Sequence, residues 1–129
     1  MTSTLRVFAG AFCAAAAFAL IPTHADAAAK QSKAAENLKL ARDYALVACL
    51  MHRYKDTELA AEVNVWASGL VERGSVPGDF YGKLSEFVRS AAPEPGTSKA
   101  GATMRMKSCI DFYNDPALTA QIQKLLKRR

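Results

Sequence analysis

The sequence predicts an all-α fold: a small helical domain of about five helices with one intrachain disulfide. Three observations carry this expectation. Apolar residues recur at helical spacing in five separate segments, no stretch alternates convincingly as a strand, and two cysteines, Cys49 and Cys109, lie on two of the apolar stripes. No internal repeat is visible.

The chain begins with a segment that reads as a leader. Arg6 is its one early charge, an apolar run covers residues 7–21, Pro22 breaks the run, and small residues follow through Ala25 and Ala27. A basic start, an apolar middle and a small-residue end describe a signal peptide over residues 1–27, with cleavage expected after Ala25 or Ala27. The run is short for a membrane span, which takes about 20 apolar residues. Cys13 follows Gly10-Ala11-Phe12, which lacks the small residue expected just before a lipid-bearing cysteine, so no stable membrane anchor is expected. The remaining chain, residues 28–129, has the length of a single domain in an oxidising, periplasmic setting. In that setting an even pair of cysteines is expected to be bridged.

The first helix is expected over residues 36–52. Leu38, Ala41, Ala45, Ala48 and Cys49 form one stripe, and Leu40, Tyr44, Val47 and Met51 form the next. So wide an apolar face marks the central helix. Asp56 or Thr57 can cap the second helix, in which Leu59, Val63, Trp66 and Leu70 recur, and Gly74 is its stop. Residues 75–79 carry turn and cap chemistry, and Phe80, Leu84, Phe87 and Ala91 give a third stripe. Residues 93–101 hold two prolines and two glycines, which predict an irregular loop. Met106, Cys109, Ile110 and Tyr113 mark the fourth helix. Asn114-Asp115-Pro116 is a cap followed by a proline at the first helical position, and Leu118, Ile122 and Leu125 make the fifth stripe. A bridge between Cys49 and Cys109 would clamp the first and fourth helices face to face.

Lys plus Arg outnumber Asp plus Glu by 17 to 12, a net charge of +5. The leader carries one charge of each sign, so its loss leaves that balance unchanged. The basic residues are scattered among acids, apart from Lys127-Arg128-Arg129, which suit a helix C-terminus. Basic and aromatic residues do not interleave, so no nucleic-acid partner is expected.

Nothing in the pattern supports an enzyme. Beyond the leader the chain has one histidine, His52. It sits three residues after Cys49, as a nucleophile and its base could, but a bridged cysteine has no thiolate to offer. No metal-ligand spacing, haem-attachment motif or calcium loop is present, so neither metal nor cofactor is expected. The candidate binding element is the loop of residues 93–101, in which Glu94, Pro95, Gly96, Thr97, Ser98 and Lys99 could reach a partner's cleft. Prolines limit its freedom and so lower the entropy lost on binding. The helix over residues 79–90 is a second candidate surface.

Two segments carry a family resemblance: Asp43-Tyr44-Ala45-Leu46-Val47-Ala48-Cys49-Leu50, and Met106-Lys107-Ser108-Cys109-Ile110-Asp111-Phe112-Tyr113-Asn114. A Cys-Leu pair closing the first long helix, with Lys-x-Cys-Ile-Asp-Phe-Tyr before the last, resembles the immunity proteins of type VI secretion amidase effectors. The resemblance covers about residues 40–126. It implies an all-helical periplasmic protein that protects its own cell. The implied partner is a secreted peptidoglycan amidase with a papain-like Cys-His site. The inhibitor would act as a homodimer whose protruding loop plugs the amidase groove. Cys49 and Cys109 match the family's cysteine positions and would be structural. The alternatives are a periplasmic acid-stress chaperone, an inhibitor of another cell-wall hydrolase, or a structural component of an envelope complex.

Overall fold

The computed structural model of the protein describes residues 24–128; the greater part of the expected leader lies outside them. Five helices occupy the described chain: α1 (His24–Arg53), α2 (Leu59–Arg73), α3 (Gly78–Ala91), α4 (Arg105–Tyr113) and α5 (Pro116–Lys127). All four later helices pack on α1, and α3 also packs on α5. The central role read from the double stripe of α1 is therefore the role it has. In its last turns Val47, Ala48, Cys49 and Leu50 are buried in succession, so neighbours surround it on every side. Ala41, Ala45 and Ala48 are small enough to let those neighbours approach closely. Leu70, Leu84, Val88, Leu118 and Ile122 fill the space around it.

Helix α1 starts twelve residues earlier than its apolar stripe, at His24 rather than 36. The added turns are rich in alanine, with two lysines and one glutamine, and hold no proline or glycine, so their intrinsic propensity is high. Residues 26–36 are exposed throughout, and propensity alone, without packing, sustains this part of the helix. The expected cleavage positions fall within its first turn.

Several local expectations meet the structure differently. Asp115 caps α5 as read: its carboxylate accepts the Ala117 amide at 2.8 Å, ahead of Pro116. Neither Asp56 nor Thr57 caps α2. Its N-cap position is Glu58, without a side-chain bond, while the Thr57 hydroxyl donates to the Tyr54 carbonyl at 2.8 Å. Asp79 lies inside the first turn of α3, paired with Lys83 at 2.7 Å, and Pro77 takes the cap position. Gly74 ends α2 with an ordinary φ of −72°, its amide bonded to the Leu70 and Val71 carbonyls. A Cβ there would overlap the Tyr81 hydroxyl, so glycine is required by close approach and not by backbone conformation.

Trp66, Met106, Ile110 and Ala91 belong to the apolar stripes of their helices, yet all four are exposed. Trp66, Met106 and Ile110 flank the buried faces of α2 and α4, and Ala91 is the last residue of α3. The inward positions go to Val63, Ala67 and Leu70 on α2, to Cys109 and Phe112 on α4, and to Phe80, Tyr81, Leu84 and Val88 on α3.

Cys49 and Cys109 are bonded, with their Cα atoms 5.7 Å apart, inside the usual disulfide range. Both are fully buried, and the bridge joins α1 to α4 as expected.

Candidate partner-binding hairpin

The segment between α3 and α4 is not irregular. Thr97 and Thr103 form an antiparallel bridge. The Ser98 amide donates to the Ala102 carbonyl at 2.8 Å, and the Ala102 amide donates back to the Ser98 hydroxyl at 3.0 Å. The Gly101 amide closes a tight turn onto the Ser98 carbonyl at 2.9 Å, and the Met104 amide bonds the Gly96 carbonyl at 2.8 Å. Gly101 has φ +83°, a left-handed value that favours glycine. The two glycines and the small residues thus build a short hairpin with its tip at residues 98–101. The prolines stay at its base, where their missing amides cost no cross-bond.

Arg53, the last residue of α1, fastens that base. Its guanidinium donates to the Pro93 carbonyl at 2.9 Å and, more weakly, to the Ala92 carbonyl at 3.5 Å. It also pairs with Glu94 at 3.0 Å. The Arg53 side chain is only 10 % exposed and Glu94 is 86 % exposed, so the arginine is part of the frame and the glutamate lies on its rim. The opposite limb runs directly into α4 at Arg105.

The six candidate residues therefore differ in role. Glu94 is held by Arg53, and Ser98 is half-buried and bonded within the hairpin. Pro95 is half-buried at the base, and Gly96 accepts the Met104 amide. Thr97 and Lys99 are exposed, as are Ala100 and Gly101 beside them. A groove of about 340 Å³ lies at the hairpin base, with Arg53, Lys55, Asp56, Glu94 and Arg105 on its walls.

Two other surfaces stand out. The outer face of α3 is polar and of mixed sign, with Asp79, Lys83, Glu86 and Arg89 exposed. Lys83 holds the Asp79 carboxyl below its ordinary pKa through their hydrogen bond. Between α1, α2 and α4 runs an apolar groove floored by Leu46, Leu50 and Val63, with Trp66, Met106 and Ile110 on its rim. Those three rim side chains are 42–45 % exposed, high for residues of their size.

The sequence reading did not find Arg53 or this apolar face. Arg53 falls one residue beyond the helix expected over residues 36–52, and nothing in its local sequence marks it. The apolar face had a signal: Met106 and Ile110 lie one turn apart on a flank distinct from Cys109 and Phe112, so both pairs cannot point at one neighbour. The one arrangement with a catalytic look, Cys49 beside His52, is dissolved by the structure, because the sulfur is bonded to Cys109 and the imidazole is exposed. Among the described residues no group of side chains is arranged to hold a metal, and no helix is long and apolar enough to cross a membrane.

Residues 39–122 match the model of one protein family, Tai4, described as type VI secretion system (T6SS) amidase immunity protein. No curated protein and no solved structure matches the chain.

Proposed function

The chain belongs to the family of type VI secretion amidase immunity proteins, and from that premise we propose that it binds and occludes a cognate peptidoglycan amidase in the periplasm of the cell that makes it. Membership of an immunity family suggests an inhibitor, not an enzyme. The leader over residues 1–27 would deliver the protein there, and residues 28–129 would be the single inhibitory domain. The partner would be a papain-like cysteine amidase that cuts wall peptide stems.

The observation that supports the reading most is the hairpin. It is narrow, exposed at its tip, closed by its own hydrogen bonds and fastened to α1. A preformed tongue loses little entropy on insertion, and occlusion of a groove needs no chemistry from the inhibitor. Thr97 and Lys99 would make the tip contacts, and Glu94 and Ser98 would chiefly hold the tongue's shape. The exposed face of α3 is a second contact surface. The protein would act as a homodimer through the groove rimmed by Trp66, Met106 and Ile110, an exposed apolar surface that gains from being covered.

The test is capture on the oxidised mature protein from lysate and secreted fraction of the source bacterium. The expected result is a single small amidase, inhibited near one-to-one in a wall-digestion assay. Clients bound only after acid unfolding would instead make the protein a chaperone, and capture of a glycan hydrolase would change the partner.

A further inference from the structure

The hairpin stands on two posts. One is Arg53, through hydrogen bonds and an exposed ion pair. The other is α4, which the return limb enters at once after the Met104–Gly96 bond. Helix α4 has nine residues, fewer than an isolated helix needs to persist in water. It buries only Ser108, Cys109 and Phe112, it packs chiefly on α1, and it leaves Met106 and Ile110 exposed. The other three helices pack on α1 without its help, and α3 packs on α5. The C-terminal end of α4 is held without the bridge, since Arg42 of α1 donates to the Tyr113 carbonyl and lies over its ring, Tyr113 donates to Asp43, and Phe112 meets Phe87 of α3. The end nearer the hairpin has Cys109 as its covalent tie to the core.

We infer that the Cys49–Cys109 bridge is a redox gate on inhibition. Closed, it holds α4, and with it the hairpin, in the binding shape. Open, it lets the first turns of α4 and residues 92–104 loosen as one unit, while the Tyr113 end of α4 and the rest of the bundle stay folded. The inference rests on the reading of the hairpin as the inhibitory element. Opening needs a dithiol: the S–S bond breaks, each sulfur takes a proton, and the dithiol closes into its own disulfide with loss of two electrons. Closing is the reverse, with the two thiols giving two electrons to a disulfide oxidant. Both sulfurs are buried, so a closed bridge is shielded from attack, and the gate acts when the chain folds. A chain folded in a reducing compartment is then a weak inhibitor, and one folded in an oxidising compartment is a strong one.

The test compares four samples of the mature protein: oxidised, refolded in dithiothreitol, refolded and then reoxidised with diamide, and the Cys49→Ala/Cys109→Ala variant. Inhibition is titrated against the amidase captured as described above, and amide exchange is followed residue by residue. The expected result is inhibition at least tenfold weaker for the reduced and variant forms, restored by diamide in the former. Faster exchange should be confined to the first turns of α4 and residues 92–104. Equal inhibition by oxidised and reduced forms overturns the gate alone. Loss of protection throughout α2, α3 and α5 replaces it with simple unfolding. An oxidised protein that leaves the amidase fully active overturns the functional reading, and the gate with it.

Discussion

Arg53→Met should loosen the hairpin while leaving the bundle folded. The substitution keeps an unbranched apolar stem in a side-chain position that is 10 % exposed, and it removes the guanidinium. The bond to the Pro93 carbonyl, at 2.9 Å from a largely buried cation, is the main loss, about 1.5–3 kcal/mol. The Ala92 contact at 3.5 Å adds little. The Glu94 pair, with its carboxylate 86 % exposed, adds about 0.2–1 kcal/mol after screening by water. Against these stands the Arg53 Nε, buried without a partner in the wild type, whose desolvation cost of about 1 kcal/mol or more disappears. The balance is a loss of about 2 kcal/mol, concentrated in residues 92–104. The assay is amide exchange at Ser98, Gly101 and Met104, whose N–H groups close the hairpin. Exchange there should quicken by about thirtyfold, the factor that 2 kcal/mol corresponds to. Glu94→Gln should quicken it by less than about fivefold, since an exposed pair contributes about 1 kcal/mol at most. Unchanged exchange in Arg53→Met would refute the role of Arg53 as anchor, and an equal effect of Glu94→Gln would refute the ranking of its bonds.

Gly74→Ala should lower stability by about 1–3 kcal/mol, because Tyr81 is 3 % exposed and packed against Tyr44 and Phe80, so its hydroxyl has no easy way to retreat from the new Cβ; an unaltered denaturant midpoint would show that the tyrosine moves freely. Deleting residues 97–100 should weaken amidase inhibition and leave the helical circular dichroism intact, and undiminished inhibition would shift the contact to α3. Trp66→Glu should place a charge on the rim of the apolar groove and give a monomer in sedimentation; an unchanged mass would locate self-association elsewhere. The Asp79 pKa is lower folded than unfolded, so its pair with Lys83 favours the folded state above the ordinary aspartate range of about 4, and that contribution disappears as pH falls through the folded value. Asp79→Asn should therefore have a slightly shallower loss of melting temperature between pH 5 and 2, and identical slopes would remove the pair from the account.

The amino-acid sequence by itself determined the helices, the central place of α1, the cap at Asp115 and the pairing of Cys49 with Cys109. Each of these depends on neighbours close along the chain or on composition: a stripe repeats every three or four residues, a cap reaches two residues on, and Cys49 and Cys109 are the two cysteines that lie on helical apolar stripes beyond residue 27. The hairpin was not legible: two prolines and two glycines predict an irregular loop over residues 93–101, and only the structure shows Gly101 at φ +83° closing a turn beside the Thr97–Thr103 bridge. The tertiary structure alone decided which edges of the stripes stay uncovered. Trp66 lies within the stripe of α2, yet it is exposed on the rim of a groove that α2 shares with α1 and α4. The tertiary structure also chose Arg53 as anchor, across 40 residues to Pro93. Periodicity names the face a helix offers, whereas the neighbour that covers it is chosen by the packing of the whole chain.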